Sequence, residues 1–201
     1  MHRSAIPVLC HDGGHLYSDA SIMTTALIVI DVQQGLCEGD EACVDAQATI
    51  ERINRVAAAA RAAGAPVIFV QHESKSDYLR FGSDRWQLAR GLDARDADPR
   101  VRKTTPDSFH RTDLAEVLQA RGVSALVICG MQTDFCVDTT TRRALALGYP
   151  VTLVSDGHTT VDNGALSAAQ IVRHHNLTLS NIESFGPRVT PVAAAEVFFA
   201  A

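Results

Sequence analysis

Four apolar runs recur along the chain: Ala26-Leu-Ile-Val-Ile-Asp31, Pro66-Val-Ile-Phe-Val-Gln71, Ala125-Leu-Val-Ile-Cys129 and Pro150-Val-Thr-Leu-Val-Ser-Asp156. Each is rich in Val and Ile and lacks a period-two alternation, the pattern of strands covered on both faces. Helical patterns lie between them. Asp45 to Ala63 is alanine-rich, spaces Ile50, Ile53 and Val56 three apart, and meets a stop at Gly64. Thr112 to Gly122 has a threonine cap, an acidic first turn, Arg121 in the last turn and a terminal glycine. Cys136 to Leu147 ends at Gly148, and Asn163 to His175 sets Ala165, Leu166, Ala169, Ile171 and Val172 along one side before Asn176. Strand and helix alternate, which predicts a three-layer α/β/α domain with a mainly parallel sheet. Such sheets build their sites outside the carboxyl ends of the strands. Asp31 closes the first strand and Cys136 lies just beyond the third. The irregular segment from His72 to Arg111, with Tyr78, Phe81, Trp86 and Phe109, has the length of a loop that covers a site.

Composition narrows the partners. A chain of 201 residues with 46% hydrophobic and 20% charged residues suits one soluble globular domain, expected over residues 23–201. A formal net charge of -5 disfavours nucleic acid or an anionic membrane surface, both of which need a basic face. No apolar run approaches the roughly 20 residues that span a bilayer. Residues 1–22 hold Gly13-Gly14, three histidines and no apolar core; they make a poor signal peptide and are expected to form a flexible extension. The cysteines are Cys10, Cys37, Cys43, Cys129 and Cys136, an odd number without a C-x-x-C pair. That disfavours a disulfide framework or a zinc knuckle and suits the reducing cytoplasm.

Three residues can carry chemistry. Cys136 sits where the polar loop Gly130-Met-Gln-Thr-Asp-Phe135 turns into a helix, a place where unpaired amides and the helix dipole favour a thiolate. Phe135 would give it an apolar floor. The alternative for Cys136 is a small buried hydrophobe, the role expected of Cys129 within its strand. Asp31, at a buried strand end, must be paired or working, unless it caps a neighbouring loop. Of 18 basic residues only Lys75 and Lys103 are lysines. Lys103, in a loop entering the third crossover, would mark a need for a compact ammonium, or it is a solvated side chain.

Asp31 in VIDVQQG, Lys103 in VRKTTPDSF and Cys136 in CGMQTDFCVDTTTRRALALGY together resemble the isochorismatase-like cysteine hydrolase family. That family includes nicotinamidases, N-carbamoylsarcosine amidohydrolases, ureidoacrylate amidohydrolases and streptothricin hydrolases. The resemblance runs from about Thr24 to Phe199 and includes G-x-x-T-x-x-C-V-x-x-T at Gly130, Thr133, Cys136, Val137 and Thr140. It implies a Rossmann-like α/β fold, a catalytic Asp31-Lys103-Cys136 triad, and a cis peptide between Met131 and Gln132. It also implies an oxyanion hole formed by the Gln132 and Cys136 N–H groups. It further implies a homodimer or higher homo-oligomer, to which Val192 to Phe199 could contribute.

Two departures from relatives matter. Nicotinamidases hold a metal with an Asp-x-His pair and a further histidine, whereas this chain reads Val70-Gln71-His72-Glu73-Ser74. One imidazole is a poor metal site, so no metal and no cofactor are expected, and nicotinamide is disfavoured. Isochorismatases proper cleave a vinyl ether without the cysteine. The intact triad therefore points to C–N hydrolysis of a small amide, ureido compound or lactam, with the 72–109 segment most similar to streptothricin hydrolases. The expected pocket has Leu36, Trp86, Phe109 and Phe135 as apolar walls and Gln33, His72 and Glu73 as polar contacts, with Glu73 favouring a cationic substrate. The competing functions are a metal-assisted nicotinamidase-type deamidase and a non-catalytic ligand-binding relative.

Overall fold

The computed structural model describes residues 24–200. The expected extension over residues 1–22, and Cys10 with it, lies outside them. β1 (Thr25–Ile30), β2 (Val67–His72), β4 (Ala125–Met131) and β5 (Val151–Thr159) occupy the four apolar runs. Two further strands flank them, β3 (Arg100–Lys103) and β6 (Val189–Val192). All six pair in parallel, in the order β3-β2-β1-β4-β5-β6. The chain therefore winds outward in both directions from the β1/β4 junction, the switch point at which such sheets open a crevice.

Alternate residues of the central strands face opposite layers. Leu27, Val29, Phe69 and Val127 pack with Ile50, Ile53 and Val56 of α2 (Ala46–Ala62). On the other face Ile28, Ile30, Val70 and Ile128 pack with Leu114 and Leu118 of α3 (Leu114–Gln119), Ala144 and Leu145 of α4 (Asp138–Ala146), and Leu179 of α5 (Ala168–Ser180). A short helix, α1 (Gln34–Cys37), follows β1. Each fully buried Ile, Leu or Phe contributes about 1.5–3 kcal/mol of transfer free energy.

Three expectations shift. The segment from His72 to Arg111 is not wholly irregular: it contains β3, and Lys103 ends that strand instead of lying in a loop. The helix expected from Cys136 begins as an α-helix only at Asp138, after a π-helical turn over Thr133–Val137. The last helix covers Ala168–Ser180, because Ser167 and Gln170 form a reciprocal capping box that sets its start.

Candidate active site

Three strand ends bring the chemistry together. Asp31 follows β1, donating its N–H to Val70 O at 2.9 Å, and then the backbone turns into the left-handed region at φ 52, which Asp tolerates better than a branched residue. β3 lies beyond β2, with Lys103 in register with His72. Two strand spacings, about 9–10 Å, separate β3 from β1, so a long unbranched stem is needed to bring a charge to Asp31. After β4 the Met131–Gln132 peptide is cis. The π-helical turn that follows carries Cys136, with Val137 N donating to Gln132 O at 3.1 Å.

Lys103 Nζ lies 2.6 Å from Asp31 Oδ2, 3.0 Å from Cys136 Sγ, 3.2 Å from Thr105 O and 3.3 Å from His72 Nδ1. An ammonium has three hydrogens for these four acceptors. The Lys103 and Asp31 side chains are 0% and 1% exposed. Burial pulls the lysine pKa down, but the Asp31 carboxylate and the Cys136 sulfur more than offset it, and the net shift is upward, so Lys103 stays charged. Burial, followed by the Asp31 charge, pushes the Cys136 thiol up to about 12 against the opposing pull of Lys103. The resting sulfur is thus a thiol, contrary to the thiolate expected from a helix start. The α-helix begins two residues too late for its dipole to dominate, and desolvation wins. His72 is shifted downward, by burial first and by Lys103 second, and is neutral.

Asp31 and Cys136 line a cavity of about 250 Å³ walled by Leu36, Tyr78, Leu79 and Phe135, with His72 and Ser74 as its polar lining and Lys103 behind it. Of the expected contacts, Leu36, His72 and Phe135 are therefore in place. The other four are not. Gln33 is buried as a strut: its Nε2 donates to His72 O and Trp86 O at 3.0 and 2.8 Å, and its Oε1 accepts from His72 N at 2.9 Å. Glu73 is bound by Arg102 at 2.7 Å and does not line the cavity, so its carboxylate is not available to a cationic substrate there. Trp86 packs edge-on against Phe81 at 4.8 Å, and Phe109 stacks on Tyr149 at 6.1 Å in the core; neither reaches the cavity. Tyr78 and Leu79 went unassigned to the pocket; their only signal was an aromatic–leucine pair within an irregular stretch. A larger hollow of about 480 Å³ between α2 and α5 contains none of Asp31, Lys103 and Cys136, so chemistry and not size identifies the site.

The remaining motif residues hold the turn in place. A Cβ at Gly130 would fall 2.0 Å from Ile30 O, so only glycine lets β4 approach β1 here, at φ 123. Thr133 Oγ1 donates to His158 Nδ1 at 2.9 Å, while His158 Nε2 donates to Asn176 Oδ1 at 3.0 Å; Asn176 is oriented by its own Nδ2 bond to Ser155 O. Burial lowers His158 to about 4, which keeps it neutral and able to accept. Thr140 Oγ1 donates to Pro106 O at 3.2 Å and also bonds Ser108, tying α4 to the loop after Lys103.

A doubly wound parallel sheet with a buried thiol, carboxylate and ammonium at its switch point defines an α/β protein of hydrolase architecture. Residues 25–189 match the isochorismatase domain. The chain belongs to the isochorismatase family. It is 36% identical over 138 residues to streptothricin hydrolase from Streptomyces noursei, a match spanning 68% of this chain but only 50% of that protein. It is 31% identical to ureidoacrylate amidohydrolase from Methylobacterium radiotolerans, over 86% of this chain and 78% of that one. A crystal structure of an isochorismatase family protein superposes with a TM-score of 0.78 at 38% identity, covering 86% of this chain and all of that one (100%).

Proposed function

We propose that this protein is a thiol-dependent amidohydrolase that opens a C–N bond of a small amide, ureido compound or lactam through a thioester on Cys136. One observation carries the reading: a single buried ammonium touches both the Asp31 carboxylate and the Cys136 sulfur, at 2.6 and 3.0 Å, and those two groups line a cavity sized for a small molecule. The streptothricin and ureidoacrylate relatives support the bond class.

A thiol held near 12 is not a free thiolate, so its proton leaves as the sulfur attacks. Asp31 accepts it; its Oδ1 is buried and has no other partner among the described residues. Lys103 steadies the negative charge as it moves between carboxylate and sulfur. Sulfur bonds to the carbonyl carbon, and the carbonyl oxygen takes the negative charge under the Gln132 and Cys136 N–H groups; such a donor is worth about 3 kcal/mol in the transition state. The Gln132 N–H, which meets no backbone acceptor among the described residues, is free for this role. As the C–N bond breaks, Asp31 returns the proton to the departing nitrogen. Water, deprotonated by Asp31, then attacks the thioester, releasing the carboxylic acid and regenerating the thiol.

The test is a panel of primary amides, ureido acids and lactams against wild type and Cys136→Ala. Wild type should release amine or ammonia and accumulate an acyl adduct on Cys136 detectable by mass. The variant should fold normally and lose on the order of 10³-fold or more of the rate. Undiminished turnover by Cys136→Ala would remove the nucleophile from the proposal.

A further inference from the structure

The groups around Lys103 form a cation site whose occupant is the protein's own side chain. Asp31, His72 and Cys136 each present a ligand atom, all within 4.8 Å of one another, and they are the one such trio among the described residues. We propose that Lys103 is the resident cation of a latent transition-metal site built by these three residues, and that its ammonium keeps thiophilic divalent cations such as zinc and cobalt off the thiol.

The donor set is one carboxylate oxygen, one imidazole nitrogen and one sulfur, a mixture that suits zinc or cobalt and not magnesium or calcium. Asp31 Oδ1 is a buried acceptor with no hydrogen-bond partner among the described residues, so the site has coordinating capacity that the ammonium leaves unused. Spacing explains why the ammonium fits and a metal does not. Nζ stands 2.6 to 3.3 Å from the three side chains, whereas zinc draws such atoms to about 2.0–2.3 Å. A metal can enter only if the ligands contract and the ammonium leaves. The Lys103 side chain is 0% accessible, so the ammonium occupies the desolvated centre of the site. Two cations sharing this desolvated space would repel strongly. Removing the ammonium should therefore turn the site from one that rejects metal into one that binds it. The inference rests on donor geometry and holds whether or not Cys136 performs the reaction proposed above.

The experiment titrates metal-free wild type, Lys103→Ala and Lys103→Gln with Co²⁺, reading the sulfur-to-cobalt charge-transfer absorption and the thermal shift. Lys103→Ala, or Lys103→Gln where the shorter side chain does not fold, should bind one equivalent with that absorption, at least ~100-fold more tightly than wild type. Adding Cys136→Ser should abolish the absorption, and adding His72→Gln should weaken binding about tenfold or more. Should neither lysine variant fold without metal, recovery of the folded state on adding cobalt supports the proposal. Equal binding by wild type and variants, folded variants without the thiolate absorption, or variants that cobalt fails to rescue would each overturn it.

Discussion

Lys103→Met separates the electrostatics of the site from its packing. It keeps most of the side-chain volume and removes only the ammonium, leaving the Asp31 side chain 1% exposed without its 2.6 Å partner. Breaking a buried ion pair from one side costs about 3–5 kcal/mol, because an uncompensated charge remains. For a chain of this size 1 kcal/mol lowers Tm by about 2–4 °C, so the expected fall is roughly 6–20 °C. Asp31→Asn, which suits the left-handed backbone at φ 52, strands the lysine charge and should cost a comparable amount. The double variant removes both charges, and its loss should fall well short of the sum of the two singles. The pH response has a definite sign. In Lys103→Met the folded protein favours the neutral acid at Asp31, so it binds a proton that the unfolded chain has released, and stability rises as the pH falls towards the carboxylate range. Urea denaturation followed by the single tryptophan, Trp86, measures all four proteins from neutral to mildly acidic pH. If Lys103→Met stays within about 0.5 kcal/mol of wild type, with a gap that does not change with pH, the description of a tightly desolvated pair is wrong.

Other outcomes follow from single contacts. Gly130→Ala places a Cβ 2.0 Å from Ile30 O, against backbone that cannot yield, and should destabilise by about 3 kcal/mol or more while lowering turnover; calorimetry showing an unchanged Tm would contradict the close strand approach. Gln33→Leu removes three hydrogen bonds to His72 and Trp86 and leaves the part-buried His72 N–H and C=O without those partners, while Trp86 O keeps its bond from Gln71 Nε2, a loss of about 2–3 kcal/mol measurable by urea denaturation. His158, lowered from 6.5 to about 4 and buried, binds a proton more readily in the unfolded chain. Its contribution is present above pH 6.5 and is lost as the pH falls towards about 4, a change of about 3 kcal/mol that a His158→Gln variant should not show.

The sheet was legible where strands are buried on both faces and faint at its margins. β1, β2, β4 and β5 announce themselves as unbroken apolar runs, whereas β3 is Arg-Val-Arg-Lys with alternate residues exposed, and β6 contains Pro191. Both are edge strands, which need apolar side chains on one face only and tolerate proline. Asn176 looks like a helix stop but lies inside α5, because its amide is held by His158 and Ser155. The proximity of Asp31, Lys103 and Cys136 was inferable only through motif resemblance, since no local pattern relates residues on three separate elements. The pocket contacts were the least legible. Whether Gln33, Glu73, Trp86 and Phe109 face a ligand depends on Arg102, Phe81, Tyr149 and other partners remote in the chain, and those partners claim them.

The cationic member of the cluster is carried on a margin. β3 has four residues and one neighbouring strand, and marginal strands are the segments that open first in partial unfolding. When β3 detaches, water reaches the carboxylate and the sulfur together while the remaining five strands still hold the core. Heat should therefore silence the protein before it melts it.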